Sequence, residues 1–136
     1  MTAREHASTI AVVAAGGVLG ALARYGAGLA IPHVPGTFPV GTFAVNVVGC
    51  LLMGASTVLL VRRKRAHRLW RPFLTTGVLG GFTTFSTYAV DTDGLLAGTG
   101  AQLTLGLAYL IGTLAAALAA VWCGAWLARH TPGAPA

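Results

Sequence analysis

The sequence predicts an all-α membrane protein with four transmembrane helices, the third of them broken near its middle. Of its 136 residues, 55% are hydrophobic and 9% are charged, whereas about 25% of the residues in a soluble domain are charged. Four apolar stretches, at 9–31, 37–61, 72–90 and 101–128, reach the length of about 20 residues that a membrane-spanning helix needs. We predict a single membrane domain over 9–128, a cytoplasmic leader at 1–8 and a disordered tail at 129–136.

The connections between the spans carry very unequal charge. IPHVPG and DTDGLLAGTG contain no Lys or Arg, whereas the middle connection contains the basic run RRKRAHRLWR. With four spans, both chain ends lie on the same side of the membrane as this run. That side carries eight basic residues and the connections on the other side carry none: Arg4, Arg62, Arg63, Lys64, Arg65, Arg68, Arg71 and Arg129. The positive-inside rule predicts that both ends are cytoplasmic, in the inner membrane of a cell. The basic run is then a topology signal, not a nucleic-acid site.

The first span, with GGVLGALARYGAG, is rich in small residues. Gly16 and Gly20, and Gly17 and Ala21, are small pairs four residues apart. Such pairs let helices approach closely in lipid, so they predict a tight bundle and contacts with another subunit. Arg24 is the only charge within any apolar run. It either snorkels toward the membrane interface or attracts an anion into an aqueous vestibule.

Hydrogen-bonding side chains recur one helical turn apart in the second and fourth spans. Thr42 and Asn46 share one face of the second, and Tyr109 and Thr113 share one face of the fourth. Each has a local explanation, because Thr can bond its own helix backbone and Asn can join two helices. Taken together, amide and hydroxyl hydrogens would suit a small anion that must lose its water.

The third span contains GGFTTFSTYA, an unusual stretch for a membrane helix. Gly80 and Gly81 each lower helix stability by about 1 kcal/mol relative to alanine, which predicts a break whose freed carbonyls find partners inside the protein. Freed carbonyl oxygens are good ligands for a hard cation such as Na⁺. The helix after the break would present hydroxyl hydrogens and electropositive ring edges from Phe85, Ser86, Thr87 and Tyr88.

Several classes of chemistry find no support in the sequence. The three acids, Glu5, Asp91 and Asp93, lie outside the apolar runs, so we predict no carboxylate in the membrane interior. That argues against a proton-coupled multidrug exporter, the main alternative with four short spans. Cys50 and Cys123 lack the spacing of a zinc site or a disulfide framework. We expect no enzyme activity.

The motifs GGVLGALARY, GTFAVNVVG and TTGVLGGFTTFSTYAVD resemble, in order and spacing, the small four-span fluoride channels of the Fluc (CrcB) family. The resemblance implies an antiparallel dimer of two four-helix subunits, with two fluoride pores along the interface. It also implies a structural Na⁺ at the dimer centre and passive export of cytoplasmic fluoride, which relieves fluoride toxicity.

The same resemblance implies roles for individual residues. The Na⁺ ligands would be the backbone carbonyls of Gly80 and Thr83, and Arg24 matches the arginine of the first span. Tyr88 stands where the family usually has Phe, so its hydroxyl either adds a donor or spoils the pore. The pore positions expected from the resemblance and the polar spacing together are Thr42, Asn46, Phe85, Ser86, Thr87, Tyr88, Tyr109 and Thr113.

The charge asymmetry bears on the partner. An antiparallel homodimer must insert in both orientations, whereas eight basic residues against none should hold this chain in one orientation. We therefore predict a heterodimer with a homologous subunit of opposite charge bias. The alternative is a non-conducting membrane subunit that only supports a homologous channel partner.

Overall fold

A computed structural model describes residues 3–62 and 67–131, and every regular element within them is a helix. Three helices are long and apolar enough to cross a membrane: α1 (Ala3–Ala30), α2 (Val40–Arg62) and α5 (Ala101–His130). The remaining predicted span consists of a π-helix (Pro72–Leu79), the short α3 (Gly80–Phe82) and, after a gap, α4 (Ser86–Leu96). The predicted all-α membrane fold with a broken third helix is confirmed. The antiparallel dimer stays a prediction.

Several helices extend beyond the predicted boundaries. α1 begins at Ala3, so the described part of the leader is helical, and α5 ends at His130, inside the segment predicted to be a disordered tail. α4 continues past residue 90 to Leu96 and carries Asp91 with it. Residues 1–2, 63–66 and 132–136, which include part of the basic run and most of the tail, lie outside the described residues.

The break in the third segment follows the glycine pair instead of coinciding with it. Gly80 and Gly81 are both helical, and the chain leaves the helix at Thr83, where φ is −73° and ψ is 158°. The break therefore lies within the predicted stretch GGFTTFSTYA, directly after the glycine-containing turn. Gly81 has a packing role, because a Cβ there would overlap the carbonyl oxygen of Gly17 in α1.

The helices pack as two main pairs. α2 lies along α5, and α1 lies along the π-helix and α3, whereas α1 and α2 make little contact. The backbones of α2 and α5 meet directly: a Cβ on Gly54 would overlap the carbonyl oxygen of Val121, and one on Gly124 would overlap that of Leu51. Gly20 of α1 meets Val78 in the same way. These contacts are dispersion packing, which lipid-embedded helices use because burial from water no longer drives them together.

The C-terminal end of α5 is tied to α2 by Arg62. Its two terminal guanidinium nitrogens donate hydrogen bonds of 3.0 and 3.1 Å to the carbonyls of Ala128 and Arg129. The last carbonyls of a helix have no partner within the helix and carry its negative partial charge. Arg62 therefore satisfies the end of α5 and fixes its position along α2.

Large apolar side chains mostly point outward in the described residues. Examples that are more than half exposed are Val18, Leu22, Leu29, Ile111, Leu118 and Trp122. The buried apolar residues are fewer: Val45, Leu79, Leu95, Tyr109, Ala120 and Ala128. An apolar exterior over a core of small residues and backbone is the arrangement of a membrane-embedded helix bundle, so the chain is a membrane protein.

The α2–α5 contact can be tested with Gly54→Ala. The new methyl group would meet the Val121 carbonyl, and such overpacking costs about 1–3 kcal/mol. We expect a lower melting temperature in detergent, measured by circular dichroism. Gly112→Ala in α5 is the matched control, since nothing lies within 4 Å of its added Cβ and alanine is the better helix former. Equal melting temperatures for the two variants would contradict the backbone contact.

Candidate functional site

The break is held by the side chain of Asn46. Its Nδ2 donates to the carbonyl oxygen of Thr84 at 2.9 Å, and its Oδ1 accepts the N–H of the same residue at 2.8 Å. Asn46 is on α2 and is 9% exposed. A carboxamide carries the same donor and acceptor as a peptide group, so Asn46 replaces the two helical hydrogen bonds that Thr84 gives up.

The carbonyls of residues 80–83 lose their helical partners at the break. In an unbroken α-helix the carbonyl of Gly80 would accept the N–H of Thr84, and that of Thr83 would accept the N–H of Thr87. The N–H of Thr84 goes to Asn46, and the N–H of Thr87 goes to the hydroxyl of Thr84 at 3.1 Å. The oxygens freed therefore include those of Gly80 and Thr83, the residues expected to bind Na⁺.

The hydroxyl groups around the break bond mainly to the backbone and to each other. Thr83 donates to the carbonyl of Leu79 at 3.0 Å, and Thr84 donates to the hydroxyl of Thr87 at 3.0 Å. The hydroxyls of Thr84 and Ser86 are 3.3 Å apart. Ser86 and Thr87 are exposed in the single chain. The hydroxyls thus stabilise the start of α4 and form a polar patch on the outer face of the subunit.

A row of aromatic rings connects the break to α5. Phe85, which is 79% exposed, contacts the ring of Tyr88 with centroids 5.9 Å apart, and Tyr88 contacts Tyr109 at 5.4 Å. The hydroxyl of Tyr88 donates to the carbonyl of Leu110 at 2.6 Å. Tyr109 is fully buried. Its hydroxyl lies near Thr42 and Asp91 but forms no hydrogen bond with a described residue.

A cavity of about 230 Å³ lies between α2, the break and α5. Thr113, which is 4% exposed, is among the lining residues. Its hydroxyl oxygen is closed to water in the single chain and has no hydrogen-bond partner among the described residues, which costs free energy. The lining combines one amide, three hydroxyls, one thiol and two aromatic rings from Asn46, Cys50, Thr83, Thr84, Phe85, Tyr88 and Thr113, with Leu114 and Ala117.

Arg24 points into the bundle from α1. Its Nε donates to the carbonyl of Gly81 at 3.2 Å, an oxygen that would otherwise bond the N–H of Phe85. Arg24 also lines a second, larger cavity of about 530 Å³ between α1, α2 and α4. Arg24 therefore points toward the break, and its role in a vestibule stays a prediction.

Asp91 also faces this larger cavity. Its carboxylate accepts a hydrogen bond of 2.7 Å from the hydroxyl of Thr42. Asp91 is not among the residues predicted for a site, because the predicted third span ends at residue 90, whereas α4 continues to Leu96. The missed indication was spacing: Asp91 is one helical turn after Thr87, on the same face of α4.

The predicted pore residues divide between the two cavities. Asn46, Phe85, Tyr88 and Thr113 line the smaller cavity, and Thr42, Thr87 and Arg24 line the larger one, together with His33, which sequence reasoning did not select. Thr84 borders both. Ser86 and Tyr109 line neither of them, since Ser86 is on the outer surface and Tyr109 is within the core. Their roles as pore positions stay predictions.

Comparison with known proteins gives a consistent result. The family described as CrcB-like protein, Camphor Resistance (CrcB), matches residues 11–125. The chain is 56% identical to fluoride-specific ion channel FluC 1 of Streptomyces coelicolor, over 93% of this chain and 81% of the relative. Two relatives come from Streptomyces avermitilis. FluC 2 is 55% identical over 80% of this chain and 68% of its own length. FluC 3 is 46% identical over 93% of this chain and 61% of its own length.

The role of Asn46 can be tested with Asn46→Ala. The variant loses both hydrogen bonds to Thr84. The backbone N–H and carbonyl of Thr84 are then unpaired, which costs about 1–3 kcal/mol per group. We expect faster hydrogen exchange at residues 83–87 and a lower melting temperature. Thr57→Val is the control on the same helix, since the exposed Thr57 bonds only within α2. Unchanged exchange at the break in Asn46→Ala would show that Asn46 does not hold it.

Proposed function

Since this chain belongs to the CrcB family of fluoride channels, we infer that it is a fluoride-specific ion channel subunit that exports cytoplasmic fluoride passively. The observation that carries the site assignment is the cavity between α2, the break and α5, which is lined by Asn46, Thr113 and two aromatic rings. HF enters cells and dissociates in a cytoplasm less acidic than the surroundings, so an open fluoride pathway alone gives net export.

We place the fluoride pathway at the smaller cavity. The amide nitrogen of Asn46 carries two hydrogens, of which one bonds Thr84 and the other is available to an ion. The positive edges of the Phe85 and Tyr88 rings would supply further favourable contacts, and Thr113 lines the same space. These groups would replace water as fluoride enters, which is how channels select ions without catalysis.

We also propose a Na⁺ site at the break. The carbonyls of Gly80 and Thr83 fit this group because their helical N–H partners are bonded elsewhere, to Asn46 and to the hydroxyl of Thr84. Carbonyl oxygens of an unwound membrane helix are typical Na⁺ ligands. A bound Na⁺ would supply a fixed positive charge between two subunits.

The proposed partner is a second subunit of the same family in the opposite orientation. Ser86 and Thr87 are polar and exposed beside Phe85, and polar groups facing lipid are unfavourable, so another protein surface should cover them. Eight basic residues on one side favour a single orientation, with both chain ends in the cytoplasm of a plasma membrane. Relatives numbered 2 and 3 in one organism are consistent with a homologous partner.

The heterodimer can be tested by fluoride efflux from liposomes, measured with a fluoride electrode. The chain purified alone should give little efflux, and the chain co-purified with a homologue of opposite charge bias should give robust efflux. The physical reason is that one orientation supplies only half of an antiparallel pair. Robust efflux from the chain alone would contradict the heterodimer and leave the channel function intact.

A variant of the assembled dimer separates a conducting subunit from a purely supporting one. Phe85→Ile in this chain removes a ring edge from the smaller cavity and should lower efflux. If efflux persists unchanged with Phe85→Ile and with Asn46→Ala, this chain only supports its partner. Thr57→Val should leave efflux unaltered, since its exposed side chain bonds only within α2.

The position of the pathway can be tested through Cys50. Its thiol lines the smaller cavity, so methyl methanethiosulfonate, which converts a thiol to a methyl disulfide and releases methanesulfinate, should narrow it. We expect efflux from the active dimer to fall by about tenfold or more, as dewetting or steric closure of a narrow pore does. Cys50→Ser should resist the reagent and Cys123→Ser should not. Full efflux with Cys50 modified, as verified by mass spectrometry, would place the pathway elsewhere.

A further inference from the structure

Tyr88 makes a hydrogen bond between two helices that does not depend on any bound ion. Its hydroxyl, on the first turns of α4, donates to the carbonyl of Leu110 in the middle of α5 at 2.6 Å. A helix carbonyl has two lone pairs, and the bond to the N–H four residues later uses one of them. The tyrosine occupies the second, so α4 is joined to α5 without disturbing the hydrogen bonds of α5.

The ring of Tyr88 is also held on both sides. It contacts Phe85 at 5.9 Å and Tyr109 at 5.4 Å, with planes inclined by 51° and 50°. Tyr109 in turn meets Phe38 edge-on at 5.3 Å, and Phe38 meets Phe43 at 5.4 Å. In this row Tyr88 connects the exposed Phe85 with the buried rings. The orientation of Tyr88 therefore determines the surface against which the Phe85 ring packs.

The hydroxyl proton of Tyr88 is already used. A phenol has one hydrogen to donate, and here the carbonyl of Leu110 accepts it. Toward the smaller cavity Tyr88 can then offer only its ring. This geometry distinguishes an anchored ring from the two roles that the sequence left open, an added fluoride donor or an obstruction of the pore.

We propose that Tyr88 is a positioning residue for halide selectivity: its hydroxyl, bonded to Leu110, fixes the ring that forms one wall of the smaller cavity. The inference rests on the proposed passage of fluoride through that cavity. A ring that cannot swing aside keeps the space small, and chloride is the larger ion. A phenylalanine would have the same ring edge but no anchor, and it would swing aside more readily.

The test compares Tyr88→Phe with wild type in the conducting dimer, by fluoride and chloride efflux from liposomes. Loss of the anchor should keep fluoride efflux and lower the fluoride-to-chloride ratio by about fivefold, the factor that corresponds to one ordinary hydrogen bond of about 1 kcal/mol. Thr57→Val is the control, since it also removes one hydroxyl-to-carbonyl bond, of 2.8 Å, but within a single helix. It should leave the ratio unchanged.

Two results would overturn the proposal. A fall in fluoride efflux without added chloride leak would make the hydroxyl a fluoride donor, and an unchanged ratio would leave the anchor without a role in selectivity. Nuclear magnetic resonance of tyrosine hydroxyl protons gives a second readout in the same dimer. The hydroxyl proton of Tyr88 should exchange with water more slowly than that of Tyr25, which is 67% exposed. Equal exchange rates would contradict the bond to Leu110.

Hydroxyl exchange also separates this inference from the proposed function. If the wild-type dimer conducts no fluoride, the channel assignment fails and the selectivity role fails with it, whereas slow exchange would still establish the bond to Leu110. If the dimer conducts and the Tyr88 hydroxyl exchanges as fast as that of Tyr25, the channel assignment stands and the positioning role is excluded.

Discussion

The pairing of the Asn46 carboxamide with the peptide groups of Thr84 is the interaction on which the rest of the site depends. Inside a bilayer no water is available to a peptide group that has left its helix, so an interrupted helix persists only if the protein supplies both a donor and an acceptor. One asparagine supplies both. The freed carbonyls before the break, the start of α4 and the position of Phe85 all follow from that pairing.

The second constraint is the approach of backbones. Gly54 and Gly124 bring α2 and α5 together, and Gly20 and Gly81 bring α1 against the third segment. These contacts hold the break at a fixed distance from α2, within reach of a short side chain such as Asn46. A larger residue at any of these four glycines would move a helix that carries either Asn46 or the break. Small residues far from the smaller cavity therefore determine the shape of that cavity.

Much of the fold could be predicted from the sequence, because hydrophobic length, basic loops and small-residue spacing are local properties. The predicted break is present, but the glycine pair alone does not determine where it falls. Glycine weakens a helix, but the chain leaves the helix where Asn46 can accept Thr84, which is a tertiary contact between residues 38 positions apart. A pattern within one segment carries no information about such a partner.

The site was predicted less completely for the same reason. Asn46, Phe85 and Thr113 do line one cavity, since Asn46 and Thr113 lie on helix faces that spacing identifies and Phe85 directly precedes α4. Thr42 lines the other cavity, with Asp91 as its partner. This pair was not predicted, because the predicted third span ends before Asp91. The hydrogen bond from Tyr88 to Leu110 depends on how α4 is rotated against α5. Helix packing determines that rotation, and the sequence pattern does not show it.

The order in which the helices find their neighbours has a consequence for biosynthesis. α1 packs chiefly against the third segment and α2 against α5, so the two helices that are synthesised first have little contact with each other. A nascent chain that has completed only α2 therefore carries two glycine-lined surfaces without their partners. Assembly in the membrane must await the second half of the polypeptide, and a ribosome that stalls before α5 would release a product with no stable helix pair for α2.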